Sequence, residues 1–160
     1  MAQEGSGGPN FDISKMTTAA KIILGSAIGY LIFLFMPWNR ACFGGGSIAG
    51  TTIPSVCGSV GGTHGLGILN LILVIVIIAM EIMVIMGLDA NMPMAAEQRQ
   101  IIGSGLVGVL LVLTLLKVLV DHEALYWPAF VGIILAGVMA YGAFMRFQEA
   151  KSSGGGGMAA

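Results

Sequence analysis

The chain has 160 residues, of which 56% are hydrophobic and only 9% are charged, and its net charge is -1. Soluble domains usually carry about 25% charged residues, so this composition excludes an ordinary water-soluble surface and indicates an integral membrane protein with the lipid bilayer as its partner. The near-neutral charge also excludes the basic surface that nucleic-acid binding requires.

Four hydrophobic blocks predict the architecture. In chain order they cover about residues 19–38, 66–88, 101–120 and 126–147. Each block is close to the ~20 residues with which a helix crosses a bilayer. The second block is rich in Ile and Val, but it is far too long for a β-strand. The sequence therefore predicts an all-α membrane protein with four transmembrane helices in an antiparallel bundle.

The segments outside these blocks are polar or rich in glycine. Residues 1–16 predict a polar cytoplasmic segment without a cleavable signal peptide. Residues 17–147 are then the transmembrane domain, with an outer loop over residues 39–65. Residues 148–160 predict a flexible cytoplasmic tail, because this Ser- and Gly-rich stretch has no core to join.

The basic residues favour one orientation in the membrane. On one side the four-span arrangement places five of them, namely Lys15, Lys21, Arg99, Arg146 and Lys151. Near the other side it places only Arg40 and Lys117. Because Lys and Arg are enriched in cytoplasmic loops, this distribution predicts a multi-pass protein of the plasma membrane with both termini in the cytoplasm.

Both cysteines of the chain, Cys42 and Cys57, fall in the predicted outer loop. An oxidising exterior would let them form a disulfide, and closing a loop of this size stabilises by about 3 kcal/mol. Two unpaired thiols are the alternative. A zinc site is a weaker one, because His64 is the only nearby nitrogen ligand.

Glu81 is the clearest candidate for a functional residue, since it lies inside the second hydrophobic block and a charge in lipid is costly. Lys21 precedes Trp38 by 17 residues, and Glu81 follows His64 by 17 residues. If both aromatic residues mark the outer interface, both charges lie about 25 Å below it. We therefore expect a Lys21–Glu81 ion pair. The functional alternative is a proton or cation site at Glu81.

Aromatic residues are expected to anchor the helix ends at the membrane interface. Tyr126 and Trp127 stand where the fourth block begins, and Trp38 follows Pro37 where the first block ends. Close to Tyr126, the long stem of Lys117 can reach toward an acidic run formed by Asp121, His122 and Glu123. This run predicts a solvated turn rather than a metal site.

Small residues recur at a spacing of four on three of the blocks, which lets helix backbones approach closely. The stripes consist of Gly25 and Gly29, of Ser104 and Gly108, and of Gly132, Ala136 and Ala140. In a chain with four helices they predict internal packing of one bundle. Contacts in a homo-oligomer are the alternative.

No motif of an enzyme is found in the sequence: it has no Ser/His/Asp arrangement, no CxxC pair, no phosphate loop and no HExxH. We therefore expect a non-enzymatic protein without a cofactor, acting as a structural or accessory component of the envelope or of a membrane complex, with other membrane proteins as possible partners. The alternative is a small transporter or channel subunit that uses Glu81. The hydrophobic blocks offer few other polar residues for a path, mainly Ser26, Asn70, Ser104 and Thr114.

The first part of the chain contains Ile13, Ser14, Thr18, Lys21, Ile22, Gly25, Phe35, Pro37 and Trp38. In these residues it resembles a group of small bacterial four-span membrane proteins that are frequent in actinobacteria, which share an Ile-Ser/Thr-x-x-x-Lys-Ile motif and end the first helix at Phe/Leu-Pro-Trp. The spacing differs here, because six residues separate Ser14 from Lys21 and Met36 stands between Phe35 and Pro37. The resemblance covers about a sixth of the chain and implies a topology and a bacterial plasma membrane, but no activity.

Overall fold

The structure, a computed structural model, describes residues 16–48, 50–87, 96–122 and 125–154. Its four helices are α1 (Thr18–Leu34), α2 (Gly67–Ile85), α3 (Ala96–Val120) and α4 (Trp127–Gly154). Between α1 and α2 lie four strands, β1 (Pro37–Phe43), β2 (Gly46–Ile48), β3 (Thr51–Ile53) and β4 (Val56–Gly61).

Each helix packs against two others, so the order around the bundle is α1–α2–α3–α4. The core between them is apolar and draws on all four helices. Its central side chains are Ile23, Ala27, Tyr30, Leu34, Trp38, Val74, Ile77, Val107, Leu110, Ala129, Ala136, Met139 and Ala143. The outward faces are equally apolar, with Ile32, Leu119 and Ile134 each more than half exposed. Faces of this kind suit lipid rather than water.

Three of the described helices are long and apolar enough to cross a membrane. They span Gly67–Ile85, Gln98–Val120 and Trp127–Glu149. The prediction of four transmembrane helices is therefore wrong by one. The membrane character of the chain agrees with the composition.

The shorter helix is α1, which has 17 residues from Thr18 to Leu34. It was predicted to continue to Trp38, but the chain leaves the helix before Pro37, where β1 begins. Proline disfavours helical backbone at the residue before it, and its ring cannot continue the helix. Pro37 and Trp38 therefore belong to a strand, and α1 measures only about 25 Å at 1.5 Å per residue.

The all-α prediction is also wrong, because the predicted outer loop contains two antiparallel sheets of two strands each. One sheet pairs β1 with β4, and the other pairs β2 with β3. Both sheets lie in one continuous segment, residues 37–61. This segment is called the β-ribbon below. Its turn residue Gly50 has a φ of +81°, a conformation that glycine adopts without steric cost.

A change of register in the β1–β4 pair redirects one large side chain. Pro37 lies opposite Gly61, whereas Asn39 lies opposite Val60, so Trp38 is the extra residue of a β-bulge. Bulges often re-aim a side chain. Here Trp38 turns into the bundle and is fully buried, which differs from its expected place at the membrane interface.

The remaining boundaries shift by a few residues. Helix α3 begins at Ala96, before the expected start near residue 101, and α4 runs on to Gly154 through the first half of the predicted tail. Residues 1–15 and 155–160 lie outside the described residues. The predictions for the polar N-terminal segment and for the end of the tail therefore fall mostly outside that part of the chain.

Candidate functional site

The buried face of α2 carries polar side chains at both of its ends. Asn70, Val74, Ile77 and Glu81 follow one another at spacings of four, three and four residues, and all of them are buried. Such spacings place side chains on one face of a helix. Glu81 is only 5% exposed, so its carboxylate lies inside the bundle and not on the lipid-facing side.

Arg146 of α4 binds both oxygens of this carboxylate. Its Nη1 donates to Oε1 of Glu81 at 2.6 Å, and its Nη2 donates to Oε2 at 2.7 Å. The Arg146 side chain is itself only 15% exposed. Two parallel N–H···O bonds to a carboxylate are the strongest geometry available to a salt bridge. The pair therefore links α2 to α4 and neutralises the buried charge.

Lys21 was predicted to be the partner of Glu81, and the structure does not bring them together as a pair. Lys21 is exposed, and it is Arg146 that donates hydrogen bonds to the Glu81 carboxylate. The depth count used Trp38 as an interface marker, although that side chain is buried in the bundle. A count from Trp127 reaches Arg146 after 19 residues, or about 28 Å of helix, so the depth argument admits Arg146 as a candidate beside Lys21.

A second polar group lies nearer the β-ribbon and joins three helices. The Thr114 hydroxyl of α3 donates to the carbonyl of Leu110 at 2.8 Å. It therefore accepts from the Tyr30 hydroxyl of α1, also at 2.8 Å, and from Asn70 Nδ2 of α2 at 3.5 Å. All three side chains are fully buried. The Asn70 Oδ1 atom has no hydrogen-bond partner among the described residues.

An apolar layer separates these two polar groups. Glu81 follows Asn70 by eleven positions on α2, a rise of about 16 Å. Val74 and Ile77 fill this interval on α2, and Val107 and Leu110 are equally buried on α3. Among the described residues, no hydrogen-bonded chain connects Glu81 with Asn70.

At the β-ribbon end of the bundle, the buried Lys117 has both a charged and a neutral partner. Its Nζ donates to Asp121 Oδ2 at 2.8 Å and to the carbonyl oxygen of His64 at 3.0 Å. The side chain is only 4% exposed. The predicted reach of Lys117 toward the acidic run is thus confirmed for Asp121, while Glu123 lies outside the described residues.

The predicted disulfide between Cys42 and Cys57 is present. The two residues face each other across β1 and β4, with their Cα atoms 4.0 Å apart. Both belong to the β-ribbon, whose residues beyond Trp38 are mostly exposed. The disulfide therefore joins the two long strands where no helix packs against them.

The predicted interface aromatics lie at the start of α4. Trp127 is 51% exposed, and its ring meets that of Phe33 edge to face at 5.9 Å. The Tyr126 ring lies under the Arg40 guanidinium at 5.8 Å, and its backbone N–H donates to the Trp38 carbonyl oxygen at 2.7 Å. The β-ribbon is thus held to Tyr126, the residue directly before α4.

The predicted small-residue stripes differ in their placement. On α4, Gly132 and Ala136 are buried and Ala140 is partly buried. On α1, a Cβ on Gly29 would lie 3.4 Å from Leu135, whereas Gly25 is exposed and faces open space. Gly108 on α3 is exposed in the same way, and Ser104 is partly buried. Close packing through small residues is therefore concentrated on α4.

No group of three or more His, Cys, Asp or Glu side chains that could hold a metal ion occurs within residues 16–48, 50–87, 96–122 and 125–154. The polar groups described above lie at both ends of the bundle and between them. Comparison of the chain with protein-family models, with curated proteins and with solved structures finds no match in any of the three.

Proposed function

We propose that this chain is a non-enzymatic membrane protein that serves as a structural or accessory component of a bacterial cell envelope or of a membrane complex. The observation that carries the proposal is the bidentate Glu81–Arg146 pair. The carboxylate that could serve transport is bound at both oxygens and ties two helices together.

The apolar layer beside this pair supports the same proposal. A proton or cation moving through the bundle would need polar side chains along its path. The interval between Glu81 and Asn70 is instead packed with Val74 and Ile77, which are at most 3% exposed. A small transporter or channel subunit that uses Glu81 remains the rival to be tested.

The β-ribbon supports a role beside a partner protein. Phe43 and Val56 face each other across β1 and β4 and are 75% and 72% exposed. Exposed apolar patches often mark contact surfaces, and in this proposal the pair forms part of one. The disulfide between Cys42 and Cys57, in the adjacent register position, holds this pair in place.

In this proposal the β-ribbon lies outside the plasma membrane, and the Arg146 end of the bundle faces the cytoplasm. A disulfide needs an oxidising compartment, which supports the placement of the β-ribbon. The start of α1 lies at the Arg146 end of the bundle, because a Cβ on Gly142 would touch Ile22 and Ile23. Basic residues at that end, such as Lys21 and Arg146, support a cytoplasmic location.

The rival function is tested by proton flux in proteoliposomes under an imposed pH gradient. We expect the wild-type chain and Glu81→Gln to give the same flux as empty liposomes. The exposed Lys21→Gln serves as a matched control at the same end of the bundle. A flux that is present in the wild type and Lys21→Gln, but lost in Glu81→Gln, would overturn the structural role and establish the transporter.

The accessory role is tested by purification from the native membrane in mild detergent, followed by mass spectrometry of the proteins that accompany the chain. We expect one partner in fixed stoichiometry, and its loss in a Phe43→Ser/Val56→Ser variant. The matched control is Ser47→Ala/Thr52→Ala, which changes a facing pair of exposed polar residues in the neighbouring β2–β3 sheet. If no partner is recovered, or if both variants retain it equally, the β-ribbon is not the contact surface.

A further inference from the structure

The disulfide between Cys42 and Cys57 lies on the surface of the β-ribbon. Both cysteines are exposed, and the bond joins the two long strands β1 and β4. The one β-ribbon residue in the described core of the bundle is Trp38, which lies four positions before Cys42. A thiol in the aqueous phase can therefore reach the two sulfur atoms.

The face of the β-ribbon that carries the disulfide also carries its only charged residue. Side chains alternate between the two faces of a strand, so Cys42 shares its face with Arg40, and Cys57 shares it with Ser59. The β-ribbon contains no other Asp, Glu, Lys or Arg. The Arg40 guanidinium lies over the Tyr126 ring, so it acts on the cysteines through its electric field. A nearby positive charge stabilises a thiolate.

The strands around the disulfide give the bond little support against reduction. Strands β1 and β4 form a sheet of two strands, and such a sheet alone is at best marginally stable in water. By linkage, strand pairing stabilises the disulfide by the same free energy with which the disulfide stabilises strand pairing. Exposed disulfides have higher reduction potentials than the structural disulfides of secreted proteins, and they are the ones that exchange with thiols.

We infer that the Cys42–Cys57 disulfide is a thiol-exchange site, which a protein dithiol reduces and a protein disulfide re-forms. The chain has no other cysteine, so the dithiol belongs to a separate oxidoreductase. Exchange opens and closes the β-ribbon while the helix bundle stays folded. The inference does not need the proposed partner contact, because Phe43 and Val56 project from the opposite face of the β-ribbon.

Exchange begins when a thiolate of the oxidoreductase attacks Cys57 Sγ. The bond between the two sulfurs of the chain breaks, and its electron pair leaves on Cys42 Sγ as a thiolate, on the strand that carries Arg40. The second thiol of the oxidoreductase then attacks its own partner in the mixed disulfide and releases the Cys57 thiolate. The oxidoreductase loses two electrons and becomes a disulfide, while the chain gains those electrons and two protons as it becomes a dithiol.

The first test measures how readily the bond is reduced. The full oxidised chain in detergent is equilibrated with equal amounts of reduced and oxidised thioredoxin, and its free thiols are counted by alkylation and mass spectrometry. A structural disulfide of a secreted protein would stay oxidised by about tenfold or more against this couple. We expect a smaller excess of the oxidised chain, or an excess of the reduced chain. An oxidised excess of about tenfold or more would overturn the inference.

The second test traps the mixed disulfide. A thioredoxin whose resolving cysteine is replaced by serine is incubated with the oxidised chain, the released thiol is alkylated, and the covalent product is mapped by mass spectrometry. We expect the bond at Cys57, because Cys42 is the leaving group on the strand of Arg40. The chain reduced and alkylated beforehand is the control. Absence of a covalent product from the oxidised chain would overturn the inference, and a product at Cys42 would overturn the direction of attack.

Variants of Arg40 test its effect on the rate of reduction by thioredoxin. Arg40→Gln is expected to slow the reaction about two- to fivefold, because the charge acts on the thiolate through water. Arg40→Lys is the matched control, since it keeps the charge and should react like the wild type. High salt should remove the difference between Arg40→Gln and the wild type, because it screens exposed charges. Equal rates at low salt, or faster reduction of Arg40→Gln, would overturn the role of Arg40.

Discussion

The indole ring of Trp38 lies directly against the backbone of Gly132, so closely that a Cβ on Gly132 would be 2.6 Å from its Cζ2 atom. On its other edge the ring meets Gly62, where a Cβ would lie 2.5 Å from Nε1. The indole N–H donates to the Phe33 carbonyl oxygen at 2.8 Å, and the ring meets Tyr30 edge to face. Trp38 therefore fastens the β-ribbon to α1 and α4 at a point where it has no room to move.

This contact predicts the effect of one added methyl group. Gly132→Ala is expected to destabilise the protein by about 1–3 kcal/mol, because overpacking a core forces side chains out of their preferred rotamers. Gly137→Ala on the same helix is the control, since Gly137 is exposed and its Cβ would meet nothing within 4 Å. It should be neutral, or stabilising by up to about 1 kcal/mol. Thermal unfolding in detergent, followed by Trp fluorescence, measures both. Equal midpoints would contradict the packing of Trp38.

The Glu81–Arg146 pair predicts an energetic coupling between α2 and α4. In a double-mutant cycle with Glu81→Gln and Arg146→Gln, we expect a coupling energy of about 0.5–3 kcal/mol, the range for residues in direct contact. The same cycle with Lys21→Gln in place of Arg146→Gln should give less than about 0.5 kcal/mol. For each cycle, the free energy of unfolding is measured in mixed micelles for the wild type, the two single variants and the double variant. A larger coupling to Lys21 than to Arg146 would restore the pair that the sequence predicts.

The buried hydroxyl of Thr114 predicts a cost for its removal at nearly constant volume. Thr114→Val removes the acceptor of Tyr30 and of Asn70, so two buried donors lose their partner. We expect a loss of about 0.6–1.7 kcal/mol, which are the average and the maximum found for hydrogen bonds between helices in a membrane protein. Thr114→Ser keeps the hydroxyl and should retain most of this stability beyond the cost of the lost methyl group. If Thr114→Val and Thr114→Ser are equally destabilising, the hydrogen bonds that Thr114 accepts from Tyr30 and Asn70 contribute nothing to the free energy of unfolding.

The amino-acid sequence predicts the helices well and the β-ribbon poorly. Blocks of about 20 apolar residues have few alternatives to a helix, and α2 begins at Gly67 and ends at Ile85, close to the predicted bounds. In the β-ribbon, glycines and exposed polar residues interrupt the alternation that marks a strand. Its pairing also depends on contacts between residues far apart in sequence, such as Pro37 with Gly61. The local sequence pattern therefore does not predict the register of the paired strands in the β-ribbon.

The candidate site was predicted in part for a related reason. Glu81 stands out because it interrupts an apolar block, and no knowledge of its neighbours is needed to find it. Its partner depends on how the helices are arranged and rotated, since Arg146 reaches Glu81 across the bundle and not from a helix beside α2. Arg146 lies on α4, which occupies a different place around the bundle from the predicted partner Lys21 on α1. Depth in the membrane limits the candidates but does not choose among them.

The disulfide predicts a local rather than a global effect of reduction. A two-stranded ribbon alone is at best marginally stable in water, and a disulfide closing a 15-residue loop contributes about 3 kcal/mol. We therefore expect reduction, or the Cys42→Ser/Cys57→Ser variant, to open the β-ribbon and to speed tryptic cleavage after the exposed Arg40. The helix bundle should keep its unfolding midpoint, because the residues that form its core lie on the four helices apart from Trp38.

Cleavage after Arg40 is measured in detergent by mass spectrometry, with the helical content followed in parallel by circular dichroism. The matched comparison is the oxidised wild type against the same protein after treatment with dithiothreitol. Reduced and oxidised chains that are cut at the same rate would show that strand pairing holds the β-ribbon without the disulfide. A fall of the bundle midpoint on reduction would instead show that the β-ribbon supports the helices through Trp38, since this residue joins β1 to the core.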